Sequence, residues 1–210
     1  MSRWRSIPAV APLAALALAL LTTALPAAAD PWAEAGDAGP LPASAQSTVG
    51  SAQLTVITGA LGAPDDVDMY CIQVQTPATL VIELQCVIIQ GPNIWLFDAT
   101  GKGVAANSTC VGGGKRILST FVSTAGKYYV AVAYNGVNPY AGASPIWVPA
   151  NTGERAPDGS GAAGAVTAWI GTGQVGPINP YQINLTGTGF CDGPVADDAR
   201  SWGGLKASYH

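Results

Sequence analysis

Charge is scarce in this chain. Only 10% of its 210 residues are Asp, Glu, Lys or Arg, and histidine occurs once, at His210. With few Lys and Glu and almost no helical periodicity, a mainly helical architecture is excluded. A hydrolytic triad needs a basic side chain beside its nucleophile, and one terminal histidine does not provide it. The sequence has no Gly-x-Ser-x-Gly, no His-Glu-x-x-His and no phosphate-cradling glycine loop. Zinc is equally poorly served, because no pair of the four cysteines has the short spacing of a structural site. What is plentiful is turn chemistry: 26 glycines and 16 prolines. That composition points to an all-β protein with long loops.

Residues 1–29 read as a secretory signal peptide. Arg3 and Arg5 precede an apolar run from Ala9 to Leu25, and Ala27-Ala28-Ala29 offers a small-residue cleavage site before Asp30. Pro12 interrupts the run, whereas a membrane anchor needs about 20 unbroken apolar residues. The expected product is secreted or held at the cell surface, with no membrane span after cleavage. It would keep 181 of the 210 residues, enough for one domain with a real core. Seven basic residues then face 13 acidic ones, and a surface of that sign has no footprint for nucleic acid or anionic lipid.

Residues 30–50, rich in Pro, Gly and Ala, read as a leader that is mobile at its start. From residue 51 to 191 the pattern is that of short strands. Leu54, Val56 and Ile57 make a first one. Tyr70, Ile72 and Val74 alternate with Cys71, Gln73 and Gln75. After Thr76-Pro77-Ala78, Leu80, Ile82, Leu84 and Cys86 alternate with Val81, Glu83 and Gln85, giving a hairpin with one apolar face. Ile94 to Phe97, Val104 to Ala106, Lys115 to Phe121 and Tyr128 to Tyr134 continue the series. Residues 135–164 form a long Gly/Pro/Asn-rich excursion, with a brief strand expected at Ile146-Trp147-Val148. Val166 to Ile170 and Tyr181 to Leu185 close the domain, and 192–210 reads as a frayed tail, the alternative being a helical turn or two with Trp202, Leu205 and Tyr209 on one side. About eight strands with turns between them predict a β-sandwich.

Four phrases carry a resemblance. They are Asp66-x-Asp68-x-Tyr70, Leu96-Phe97-Asp98-x-x-Gly101-x-Gly103-Val104, Ala125-Gly126-x-Tyr128-Tyr129-Val130-Ala131-Val132 and Tyr181-x-Ile183-x-Leu185-Thr186-Gly187. In order and spacing the chain resembles the bacterial pre-peptidase C-terminal type of domain, in a stand-alone secreted version. The resemblance implies a jelly-roll-like antiparallel sandwich that accompanies secreted hydrolases without being catalytic itself. Pro92-Asn93 and Ser108-Thr109-Cys110 stand where the family often places acidic residues, which thins any acidic cluster that could hold a cation.

Asp65, Asp66, Asp68 and Asp98 are the acidic residues at turns of these phrases. Calcium takes six to eight oxygen ligands from such loops, whereas the competing reading has each carboxylate capping a turn. Apart from calcium, no cofactor is expected. Tyr134, Tyr140, Trp147 and Trp169 fall in or beside the excursion. Exposed there, their rings would stack on sugars or capture peptide; buried, they would be a minor core over the sandwich end. Glu83 and Glu154 are the carboxylates available to a glycosidase, but one lies on a polar strand face and the other in a loop.

Strand directions suggest the disulfides. The strand ending at Cys86 runs up, the next runs down, and the third returns up to Asn107. Cys86 therefore meets Cys110, which leaves Cys71 with Cys191, among three possible pairings. The functional expectation is a secreted, non-enzymatic module that binds an extracellular polymer, polysaccharide or protein. An accessory or chaperone-like role toward a secreted protease in trans is the alternative, and a hydrolase comes third.

Overall fold

The computed structural model describes residues 29–86, 91–173 and 179–192. The expected signal peptide up to residue 28, and the expected tail beyond Asp192, lie outside them. The fold is all-β. Its central strands are β3 (Gln53–Leu61), β4 (Val67–Val74), β5 (Val81–Gln85), β6 (Asn93–Asp98), β7 (Gly103–Asn107), β8 (Gly114–Leu118) and β9 (Gly126–Ala133). β13 (Asn179–Thr186) and β14 (Thr188–Phe190) complete a path in the order β7-β6-β9-β4-β14-β3-β13-β5-β8. The neighbours on this path run antiparallel. β8 folds back over β6 and β7, and the Asn107 amide donates to Arg116 O at 2.7 Å, so the sheet is nearly closed. About eight strands were expected; the path alone has nine.

The alternation seen in the sequence is the pleat itself. In β5, Ile82 and Leu84 are buried while Val81, Glu83 and Gln85 are half-buried, as a strand with one wet face requires. β4 departs from this: every residue from Val67 to Val74 is buried, including those on the nominally polar face. Cys71 and Gln73 are enclosed because β4 lies between β9 and β14, with its Cys71 tied to Cys191. Between β13 and β14 the chain bends at Gly187, whose φ of 76° lies in the left-handed region that glycine reaches without strain. The Gly187 carbonyl accepts from the Gln75 and Thr76 amides at 2.9 and 3.0 Å. One continuous segment thereby passes from pairing with β3 and β5 to pairing with β4.

The stretch read as a leader contributes two strands. β1 (Ala29–Ala33) pairs in parallel with β3, and β2 (Gln46–Ser47) pairs in parallel with β4. Trp32 packs against the core and Ala38 is buried within it. The excursion is also built rather than loose. β10 (Asn138–Ala141) pairs with β11 (Ser144–Pro145) and with β12 (Ala168–Ile170) in a separate small sheet. Ile146-Trp147-Val148 is not a strand. Ile146 N donates to Pro139 O at 3.0 Å and Val148 N to Asp158 Oδ1 at 2.8 Å, so the segment bends inward and buries both Ile146 and Trp147.

The disulfides join Cys71 to Cys191 and Cys86 to Cys110, the pairs that the strand directions imply. Cys86–Cys110 closes a loop with a sequence separation of 24. Replacing both cysteines by serine is expected to cost about 3 kcal/mol in the chain-entropy view. Urea unfolding of the two proteins under oxidising conditions reads this directly, and an unchanged midpoint would contradict it.

Candidate functional site

Two places on the fold gather polar side chains. The first lies where β1 leaves the sheet. Parallel pairing with β3 brings Glu34 beside Thr58, with Glu34 N donating to Thr58 O at 2.8 Å. The Glu34 carboxylate accepts from the Ala38 and Ala60 amides, each at 3.0 Å. Asp68, on β4, is fully buried next to it. Carboxylate oxygens of Glu34, Asp37 and Asp68 all lie within 4.8 Å of one another. The Tyr181 hydroxyl donates to Asp68 Oδ2 at 2.6 Å, and the Tyr70 and Tyr181 hydroxyls share a hydrogen bond of 2.5 Å. Gly59 makes room for this convergence: a Cβ there would strike both tyrosine hydroxyls and the Glu34 carboxylate.

The electrostatics of this cluster follow from burial. Burial pushes the Asp68 carboxyl up to about 8, against the lowering effect of Tyr181 and with the negative charges of Glu34 and Asp66 adding to it. Burial likewise raises both Tyr70 and Tyr181, which stay protonated. Asp68 Oδ1 is buried with no hydrogen-bond partner among the described residues. Two chemistries complete such a cluster. Either Asp68 keeps a proton and shares it with Glu34, or a hard cation takes the three carboxylates. An all-oxygen donor set with an orphaned carboxylate oxygen fits calcium or magnesium.

Of the four aspartates singled out in the sequence, only Asp68 belongs to this trio. Asp66 is nearby and caps the turn before β4 through the Gly62 amide at 2.5 Å; Asp65 is exposed beside it. Asp98 is elsewhere, accepting from the Thr100 amide and hydroxyl and the Lys102 amide at 2.7–3.0 Å, which is turn capping. Glu34 and Asp37 escaped the sequence reading because they sit in the supposed leader. Trp32, an apolar ring in an otherwise linker-like stretch, was the signal for a strand there.

The second place is a pocket of about 330 Å³ between the excursion and the ends of β6, β7 and β9. Register builds it. Ile94 opposes Asn107 and Asn93 opposes Ala133, so Asn93, Asn107 and the Asn135 that follows β9 come to the same end of three adjacent strands. Asn138 and Asn151 add two more amides, while Trp95, Ala106 and Pro149 supply apolar wall. The excursion is fastened over it by Arg155, whose backbone exchanges two 3.0 Å bonds with Ala106. The Arg155 side chain donates to Val148 O and Gly153 O and lies 3.4 Å from Asp158 Oδ2. Burial alone would raise Asp158, but Asn151, the Val148 amide and Arg155 outweigh it and hold its pKa below the usual range.

The four aromatic candidates do not line this pocket. Trp147 is buried edge-on against Phe97, with centroids 5.6 Å apart, and its indole N–H donates to Arg155 O. Trp169 is half-buried, T-shaped against Trp95 at 5.0 Å, and donates to Pro40 O at 2.7 Å. Tyr134 is buried with its hydroxyl donating to Leu61 O, and Tyr140 is half-buried in β10. Of the two readings of these rings, Tyr134 and Trp147 follow the buried one and Trp169 packs partly against the core, because large apolar faces gain more from burial than from solvent, whereas Tyr140 stays half-exposed. The carboxylates considered for a glycosidase are engaged too. Glu83 pairs with Arg116 at 2.9 Å, and Glu154 accepts the Leu118 amide at 2.6 Å.

Among the described residues no helix is long and apolar enough to cross a membrane. No protein-family model matches the chain, and no curated protein matches its sequence. Among solved structures, it is similar to the pre-peptidase C-terminal domain of a collagenase from Bacillus anthracis, at 14% identity and a TM-score of 0.36, over 78% of this chain and 99% of that one.

Proposed function

We propose that the chain is a non-catalytic extracellular β-module that holds a polymer, glycan or protein, in the pocket between its excursion and the ends of β6, β7 and β9. One observation carries this reading: a pocket walled by amide side chains, with the excursion pinned over it through Arg155. Two disulfides suit an oxidising compartment. Glu83 and Glu154, the carboxylate pair considered for glycoside cleavage, are committed to structural bonds. Glu34, Asp37 and Asp68 would serve as a calcium brace that fixes β1 to the domain, outside the polymer site itself.

Retention of the oxidised protein on cellulose, chitin, peptidoglycan and collagen tests the reading. Binding to at least one of these, reduced by Asn135→Trp, is the expected result, because Asn135 is exposed at the pocket and a large ring there would fill it. Retention on none of them, or retention indifferent to Asn135→Trp, would overturn it.

A further inference from the structure

We infer that the pocket takes a neutral sugar, one uncharged pyranose unit of a glycan. This rests on the reading of the pocket as the binding site, and it names the ligand class. The lining offers five primary amides, at Asn93, Asn107, Asn135, Asn138 and Asn151. Asn107 is spent on Arg116 O and the Thr109 amide, and Asn138 and Asn151 each give an NH2 proton to Gly136 O and Asp158. The Asn135 NH2 and the Asn138 and Asn151 carbonyl oxygens have no partner among the described residues, so the pocket still offers both donors and acceptors, which matches vicinal hydroxyls that do the same. Lys115, buried beneath, donates to Asn93 Oδ1 at 2.8 Å and to Gly91 O at 2.7 Å. With its carbonyl thus occupied, Asn93 turns its NH2 toward Asn135 Oδ1, 3.4 Å away. The Ser108 hydroxyl, also at the pocket, is buried with no partner among the described residues. A ligand hydroxyl would satisfy it.

Charge and shape narrow the ligand further. No carboxylate is among the lining residues, so a cationic ligand has no counter-charge. The one guanidinium, Arg155, gives its terminal nitrogens to two carbonyls and faces Asp158 at 3.4 Å, which already offsets its charge; its Nε is buried without a hydrogen-bond partner among the described residues, so an anionic ligand gains little. A volume of about 330 Å³ is at the small end of ligand sites, which run from roughly 300 to 1,000 Å³. An extended peptide would bind by adding a strand to an open sheet edge. At β7 that route is obstructed, since Ala106 already bridges to Arg155.

The test is a titration of the isotopically labelled, disulfide-bonded protein, following side-chain amide signals by NMR. The probes are the methyl glycosides of glucose, galactose, mannose and N-acetylglucosamine, with glucuronate and triglycine alongside. At least one neutral glycoside should shift the Asn135 and Asn138 side-chain signals. Asn135→Ala combined with Asn138→Ala should weaken that binding about tenfold, the size expected for losing such hydrogen bonds. Ser108→Ala, tested separately, should weaken it in the same direction, and an unchanged backbone spectrum shows that each variant is folded. No shift with any neutral glycoside overturns the inference, as does a shift that survives both variants. Shifts from triglycine or glucuronate alone also overturn it, yet leave the binding-module reading standing. Absence of retention on every polymer would remove that reading as well.

Discussion

Replacing Cys71 and Cys191 by alanine is expected to lower the unfolding free energy by about 4–5 kcal/mol, the larger of the two disulfide effects. The reason is reach. This bond spans a sequence separation of 120, against 24 for Cys86–Cys110. It also holds a buried corner where three segments meet. Thr48 Oγ1 donates to Cys71 O at 2.8 Å, and the Cys191 amide donates back to Thr48 at 3.0 Å. Without the bond, β14 loses its anchor and its pairing with β4 loosens. Against a typical total of about 5–15 kcal/mol, such a loss is most of the stability of a modest domain. Urea unfolding of the double variant measures it. A loss smaller than that of the Cys86/Cys110 variant would contradict the account.

The second large effect is a pH dependence with an unusual sign. An aspartate whose folded pKa is raised to about 8 binds a proton that the unfolded chain, at its ordinary value of 3.8, has already lost. Between those two values the folded state therefore loses stability as pH rises. In chelator, the melting temperature is expected to fall from pH 4 to pH 8, with Asp68 the principal contributor. Asp68→Asn should flatten this dependence, since an amide can still accept from Tyr181 and can donate toward Glu34. A cation changes the balance. Filling the trio requires Asp68 to be deprotonated, so calcium affinity should rise as pH approaches 8. At a calcium concentration 100 times the dissociation constant, the gain is about 2.7 kcal/mol. Asp68→Asn should lose most of that gain. A melting temperature indifferent to both pH and calcium would contradict this description of the cluster. Lys115 acts in a separate window: burial lowers it to about 8, so its contribution recovers as pH rises from there toward 10.5.

The β-sheet was legible where one face of a strand is wet. β5 shows it best, because Ile82 and Leu84 must face inward while Glu83 cannot. β1 and β2 were not legible, since their pairing is parallel and reaches partners more than 20 residues away, and Pro31 disguises the first. The inward turn at Ile146 and Trp147 was missed for a different reason. An apolar triplet in a loop has the same appearance whether it pairs or plugs, and here hydrogen bonds from the Val148 and Ile146 amides to Asp158 and Pro139 decide for the plug. Both polar sites depend on such long-range placement. Glu34 meets Asp68 only because β1 docks. The amide pocket exists because Asn93, Asn107 and Asn135 each border a strand end, a pattern visible in the sequence but silent until the register is known.

The most direct test of the binding site is hydrogen–deuterium exchange of the protein free and bound to the polymer that retains it. Added protection is expected at residues 135–138 and 149–155, with β4 and β5 unchanged. Protection confined to another face, leaving those two segments as in the free protein, would contradict it.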